Sequence, residues 1–152
     1  MLGRLSKLIE NRKHLTTNKV LRFSFEDRSI QDYILQLNAD EQLFNEGVDA
    51  DGRVVGFYSR YTEEINRGKS FAGKEKKAGE RYFFYDTGKL FDSFFIRIDD
   101  DGIIIGNTDL EKLEDIMTDP KRLLGLTDES RAILIAEILP MIRNYILGTL
   151  LQ

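Results

Sequence analysis

The sequence predicts an α+β domain. A small antiparallel β-meander packs against N-terminal and central helices and a Pro-kinked C-terminal helix. Three observations predict it. Residues 82–108 hold three short aromatic and β-branched runs, separated by Asp86-Thr87-Gly88 and by Asp99-Asp100-Asp101-Gly102, which is the pattern of hairpins in series. Apolar residues recur at helical spacing in two other places, around residues 30–44 and 133–151. The chain has 152 residues and no cysteine, so one domain with one real core holds it together without staples. The expected organisation is an N-terminal basic helix or arm over 1–18, then a single α+β domain over 19–152 with a long basic loop at 63–81.

Each element has its own warrant. Leu2, Leu5, Leu8, Ile9 and Leu15 fit a short amphipathic helix with a basic opposite face, which either packs on the body or reaches a neighbour. Residues 19–25, KVLRFSF, alternate and read as a strand. Ser29 reads as an N-cap with Asp32 three positions on. Ile30, Tyr33, Ile34 and Leu37 follow at helical spacing, Leu43 and Phe44 extend the face, and Gly47 ends the helix. Residues 63–81 are the most polar stretch, punctuated by Gly68, Gly73 and Gly79, and read as a mobile excursion or a functional arm. In the meander, Phe91, Phe94, Phe95, Ile96 and Ile98 supply core, and Gly106 weakens or bends the third strand. Residues 109–117 predict a short acidic helix ending before Pro120, and the apolar run 123–126 should tuck into the core. Thr127 is the cap of the last helix, and Pro140 predicts a kink or break near Ile138 and Leu139. That helix has a broad apolar face, wide enough to cover the sheet and leave an excess for an oligomer contact.

The net charge of −4 is banded. Residues 1–25 carry +5, 26–51 carry −7, 52–81 carry +4 and 82–119 carry −7. Such bands suit complementary contacts between copies or with partners, although a solvated surface gives them as well. No window approaches the roughly 20 apolar residues that a bilayer span takes, and the first residues lack the apolar stretch of a signal peptide. The reading is a protein used inside a cell or in a particle assembled there.

The chemistry-bearing patterns fail one by one. The absence of cysteine removes thiolate nucleophiles and Cys-based zinc sites, and the single His14 removes a His-rich metal site. His14 lies far in sequence from Ser59, Ser70 and Ser93, so no hydrolase triad is indicated. Asp49 and Asp51 begin like a calcium loop, but Arg53 and Val54 stand where a ligand and a glycine belong, so a tight turn is expected. Gly68-Lys69-Ser70 looks like the tail of a phosphate-binding loop. Glu63 stands where the first glycine belongs, and Thr87-Gly88-Lys89 fails likewise at Phe83. Asp86 and Asp92 read as turn and edge residues rather than an acid-base pair. No catalytic residue, cofactor or metal is expected.

Two blocks resemble something known. Residues 43–62, LFNEGVDADGRVVGFYSRYT, and residues 82–95, YFFYDTGKLFDSFF, followed by Gly125-Leu126-Thr127, resemble small tailed-bacteriophage virion proteins of the tail-completion or virion-morphogenesis class, head-tail connector proteins of the neck. The signature is a Thr-Gly-x-Leu-x-x-Ser element, here Thr87, Gly88, Leu90 and Ser93, with Asp86 before it, forming a structural turn. The resemblance implies a non-catalytic structural protein that joins head to tail as a sixfold or twelvefold ring of itself, between portal-side connector and tail-tube proteins. It implies residence in the virion, and in the host cytoplasm during assembly, with no membrane partner. It makes the basic loop an interaction loop, through Arg67, Lys69, Lys74, Lys76, Lys77 and Arg81, facing either a neighbouring protein or, non-specifically, the packaged DNA. The N-terminal segment lies outside it. A non-viral interaction or scaffold module without catalysis is the alternative.

Overall fold

The computed structural model describes residues 2–114 and 117–151. The fold class is α+β, as expected, with helices dominant and a single hairpin as the sheet. The chain opens with α1 (Leu2–Lys13) and α2 (Thr17–Glu26). The strand expected at 19–25 is therefore a helix. The Thr16 side chain accepts a hydrogen bond from Lys19 N at 3.3 Å and starts α2, and Val20, Leu21, Ser24 and Phe25 turn inward at i, i+4 spacing. Over so short a run, alternation and helical spacing share most of their apolar positions.

α3 (Arg28–Leu35) is capped two residues earlier than expected, by Asp27, whose carboxylate accepts from Ser29 N at 2.8 Å and from the Ser29 hydroxyl at 2.5 Å. From Gln36 to Glu46 the helix widens to π geometry, a rare form at this length. Gly47 ends it at φ 65°, as expected. A Cβ there would lie 2.4 Å from the Tyr82 carbonyl oxygen, so both the backbone angle and the close approach require glycine.

The hairpin pairs β1 (Phe94–Ile98) with β2 (Ile103–Asn107) antiparallel, Phe94 opposite Asn107 and Ile98 opposite Ile103. Its turn forms where expected: Asp99 Oδ1 accepts from the Asp101 and Gly102 amides, both at 3.0 Å. Gly106 keeps its place in the ladder. It lies opposite Phe95, whose ring lies over it so closely that a Cβ would meet the ring at 2.2 Å. The first strand of the expected meander is absent among the described residues. Phe84 takes a left-handed φ of 55°, which interrupts the run 82–85, and that run joins an arm described below. Between Gly88 and β1 the chain makes one helical turn, α5 (Lys89–Asp92).

Of the acidic helix expected at 109–117, a 3₁₀ turn forms at Leu110–Leu113; residues 115 and 116 lie outside the described residues. A second 3₁₀ turn, Pro120–Leu123, leads to Leu126 and the Thr127 cap, whose hydroxyl accepts from Ser130 N at 3.1 Å. α6 (Asp128–Leu151) then continues through Pro140 without a break. Pro140 lies on the exposed side, where water reaches the carbonyl that the missing N–H leaves free.

The main core joins Ile34 and Leu43 of the α3–π helix, Phe94 and Ile105 of the hairpin, Leu123, and Leu134 and Ile138 of α6. α6 also packs on α1 and α2, where Phe23 stacks on Tyr145 at 4.1 Å between centroids. One expectation is corrected here. α6 is long and apolar enough, by length and composition, to cross a membrane, with mean hydropathy 1.4 over its best window and only 11% of that window buried.

A buried polar latch holds the start of α6 to the π helix. Asn38 donates to Leu123 O and Gly125 O at 3.0 and 2.8 Å; Gln42 donates to Gly125 O and accepts from Thr127 N, both at 2.9 Å. Asp49, almost fully buried, pairs with Arg122. Its other oxygen accepts from the Asp51 and Arg53 amides at 3.0 and 2.9 Å. The Asp-x-Asp-Gly stretch is thus the expected tight turn, closed by Gly52 N on Asp49 O at 2.9 Å.

Candidate functional site

The residues that the sequence marks converge on one unit, an arm running from Gly56 to Ser93. Its base is a short antiparallel contact. Tyr82 N donates to Gly56 O at 3.0 Å, Tyr58 N to Glu80 O and Gly79 N to Tyr58 O, both at 2.9 Å, and Phe57 bridges Arg81. Ser59 then caps α4 (Arg60–Ile65) by accepting from Thr62 N at 3.1 Å. A turn through Arg67, Gly68 and Lys69 leads to a tight loop in which Phe71 and Lys74 exchange backbone hydrogen bonds. The chain returns through Glu75–Arg81.

The stretch 63–81 is packed, not a free excursion. Phe71 is 9% exposed and forms a second core with Tyr58 and Phe83, bordered by Phe44, Tyr82 and Tyr85. The rings meet edge to face, Tyr58 with Phe83 at 5.3 Å and Phe44 with Phe83 at 5.8 Å. Glu63 accepts from Ala78 N at 2.9 Å and ties the outgoing half of the arm to the returning half.

The six marked basic residues divide by what they touch. Lys74 points inward: its ammonium donates to Phe44 O and sits 4.2 Å from the centre of the Phe44 ring. Burial holds its pKa below the ordinary lysine value, partly offset by Glu80. Lys76 lies 4.0 Å from the centre of the Phe71 ring and 3.1 Å from Asp86, so it clasps the turn to the arm. Arg81 donates to Glu46 O at 3.2 Å, and Lys77 pairs with Glu75 at 3.5 Å. Arg67 and Lys69 are exposed at the tip. Lys74, Lys76 and Arg81 therefore fasten the arm, and Arg67, Lys69 and Lys77 remain exposed.

The Thr-Gly-x-Leu-x-x-Ser element also has a clear geometry. Thr87 is exposed, and Gly88, at φ 84° and ψ −13°, starts α5. A Cβ at Gly88 would meet the Tyr85 hydroxyl at 2.9 Å. Ser93 ends α5 by donating to Lys89 O at 2.6 Å, and its carbonyl accepts from Thr108 N at 3.2 Å beside the end of β2. The motif is a joint that turns the arm into the hairpin.

Two concavities border the arm. A cleft of about 740 Å³ has Phe44, Phe57, Lys74, Lys77 and Arg81 on its walls. A smaller pocket of about 340 Å³ lies between Tyr58, Thr62, Lys76, Tyr82, Tyr85 and Asp86. Burial pushes the Tyr58 hydroxyl above the ordinary tyrosine value, against the opposing hydrogen bond that it accepts from Phe83 N. Neither concavity pairs a nucleophile with a base in hydrogen-bond reach among the described contacts, and the charged groups in them mostly hold the arm. The outer edge of the arm instead exposes Phe57, Tyr61 and Ile65, Tyr61 by 72%.

The sequence reading missed Phe71 as a core anchor and the Asn38–Gln42 latch. The signal for the first was one large aromatic inside a polar stretch; the second joins groups more than 80 positions apart. Comparison with protein-family models, with curated proteins and with solved structures gave no match for this chain.

Proposed function

We propose that this chain is a structural protein of a tailed-phage neck or tail end, which joins head to tail by assembling as a ring between portal-side connector and tail-tube proteins. One observation supports it most. The two blocks that carry the resemblance, 43–62 and 82–95, interlock as the base of the arm, with Gly47 against Tyr82 and Tyr58 against Phe83. A motif shared for building reasons should build one thing, and these segments build the base of an arm that exposes Phe57, Tyr61 and Ile65 and carries Arg67 and Lys69 at its tip.

In this reading the arm is the assembling element. Phe57, Tyr61 and Ile65 meet a neighbouring subunit, and Arg67 and Lys69 at the tip meet acidic protein surface or DNA phosphate. Lys74, Lys76 and Arg81 keep the arm rigid, which lowers the ordering cost of assembly. The reaction is association alone, without catalysis.

Disruption of the gene in its phage tests this. Electron microscopy should show filled heads and finished tails that do not join, and mass spectrometry should find the chain in wild-type virions. Joined, infectious particles lacking the chain would refute the reading.

A further inference from the structure

The smaller pocket beside the arm holds polar groups that the fastening of the arm does not use up. Its walls carry four rings, Tyr58, Tyr82, Phe84 and Tyr85, with Thr62, Lys76 and Asp86 between them, around about 340 Å³. Aromatic walls with a few polar groups are the make-up of a small-ligand site. Phe84, on this wall, holds its left-handed φ of 55°, a strained angle for a bulky residue.

Two groups at the pocket are incompletely satisfied. Tyr58 is 9% exposed, and its hydroxyl oxygen accepts from Phe83 N at 3.3 Å. Among the described residues its own O–H meets no acceptor, and a buried donor left unpaired is costly. Burial keeps that hydroxyl protonated, and the charge of Asp86 acts on it from the same pocket. Lys76, largely buried, gives its ammonium one oxygen, Asp86 Oδ1 at 3.1 Å, and the face of the Phe71 ring. Asp86 is exposed, and its other oxygen has no donor among the described residues.

We propose that this pocket binds a neutral aromatic carboxamide: its ring lies among Tyr82, Phe84 and Tyr85, its carbonyl oxygen accepts from the Tyr58 hydroxyl, and its N–H donates to Asp86. Lys76 and Asp86 set opposite charges side by side, so a ligand with a net charge meets one of them as a like charge. A neutral ligand with an acceptor beside a donor meets neither penalty. A ring without an acceptor would leave the Tyr58 donor unspent. Phe57, Tyr61 and Ile65, the residues of the neck reading, lie off this pocket, so the two readings stand or fall separately.

The experiment is titration of the full chain with benzamide, benzoate and benzylammonium, followed by amide NMR shifts. Benzamide should bind in the millimolar range and move the amides of Thr62, Tyr82, Tyr85 and Asp86, and each charged probe should bind about fivefold more weakly or worse. Tyr58→Phe keeps the ring, removes the donor and should weaken benzamide about fivefold. Lys76→Met removes the cation and leaves Asp86, so benzylammonium should then bind more tightly than benzamide. Urea midpoints check that both variants fold, and the order of the three probes on the wild type tests the proposal without either variant. Benzamide shifts absent from these amides, a charged probe bound as tightly as benzamide by the wild type, or unchanged benzamide affinity in folded Tyr58→Phe would each overturn it.

Discussion

Gly88 shows how one residue carries a joint. Its φ of 84° and the Tyr85 hydroxyl 2.9 Å from where a Cβ would lie set two penalties on any side chain. Gly88→Val should destabilise the fold by about 1–3 kcal/mol, read from the urea midpoint; an unchanged midpoint would remove the joint from the account. Asp27 acts through charge. The Ser29 hydroxyl and amide hold its carboxyl below the ordinary value of 3.8. A depressed carboxyl contributes stability that is present above that value and fades as pH falls through the folded pKa. The stability gap between wild type and Asp27→Ala should therefore be full near neutrality and close in acid below pH 3.8. A gap that stays constant into strong acid would mean that the cap does not work through its ionised form. Gly47, Gly88 and Thr127 were legible in the sequence, because each answers a local demand: a positive φ or an orphan amide. Phe84 was not. Nothing local marks a phenylalanine for a left-handed φ, and that angle interrupts the run expected as the first strand.

Elements were legible where several local signals agreed and not where they competed. α6 had a cap, acidic residues in its first turn and a long apolar repeat, so it formed even through Pro140. Residues 19–25 offered alternation too short to outweigh the Thr16 cap and the packing of Phe25 on the core. The polar composition of 63–81 left a mobile excursion and a functional arm both open; Phe71, Lys74 and Lys76 pack it against the body, and Arg81 ties it to Glu46 O. Phe71→Ala should cost about 3 kcal/mol, within the range for emptying an aromatic core site. It should also speed proteolysis within 66–79. Equal stability and protease resistance would return the stretch to a free loop. The π segment had no signal in the sequence; along it Asn38 and Gln42 both reach the chain near Gly125. Gln42→Leu keeps the volume but leaves Gly125 O and Thr127 N without that partner. It should cost about 1–3 kcal/mol by thermal or urea unfolding, and no loss would show the latch to be incidental.

The whole molecule combines two cores with two outward surfaces. The main core joins the α3–π helix, hairpin and α6; the aromatic core holds the arm. Outside them lie the arm, with Phe57, Tyr61 and Ile65 exposed, and the outer side of α6, with Ile133 and Leu147 among its exposed residues. Charged side chains fasten segments to one another at Asp49–Arg122, Lys76–Asp86 and Arg81–Glu46, with no catalytic constellation assembled among the described residues. On the proposed reading, a molecule built this way works by contact. The central claim is that the chain functions as an assembly of copies, and the native mass of the purified full chain tests it most directly. The account predicts masses at integer multiples of 17.6 kDa, growing with concentration and reduced when the exposed Tyr61 and Ile65 of the arm are both replaced by Ala. A single species at 17.6 kDa at every concentration would contradict it.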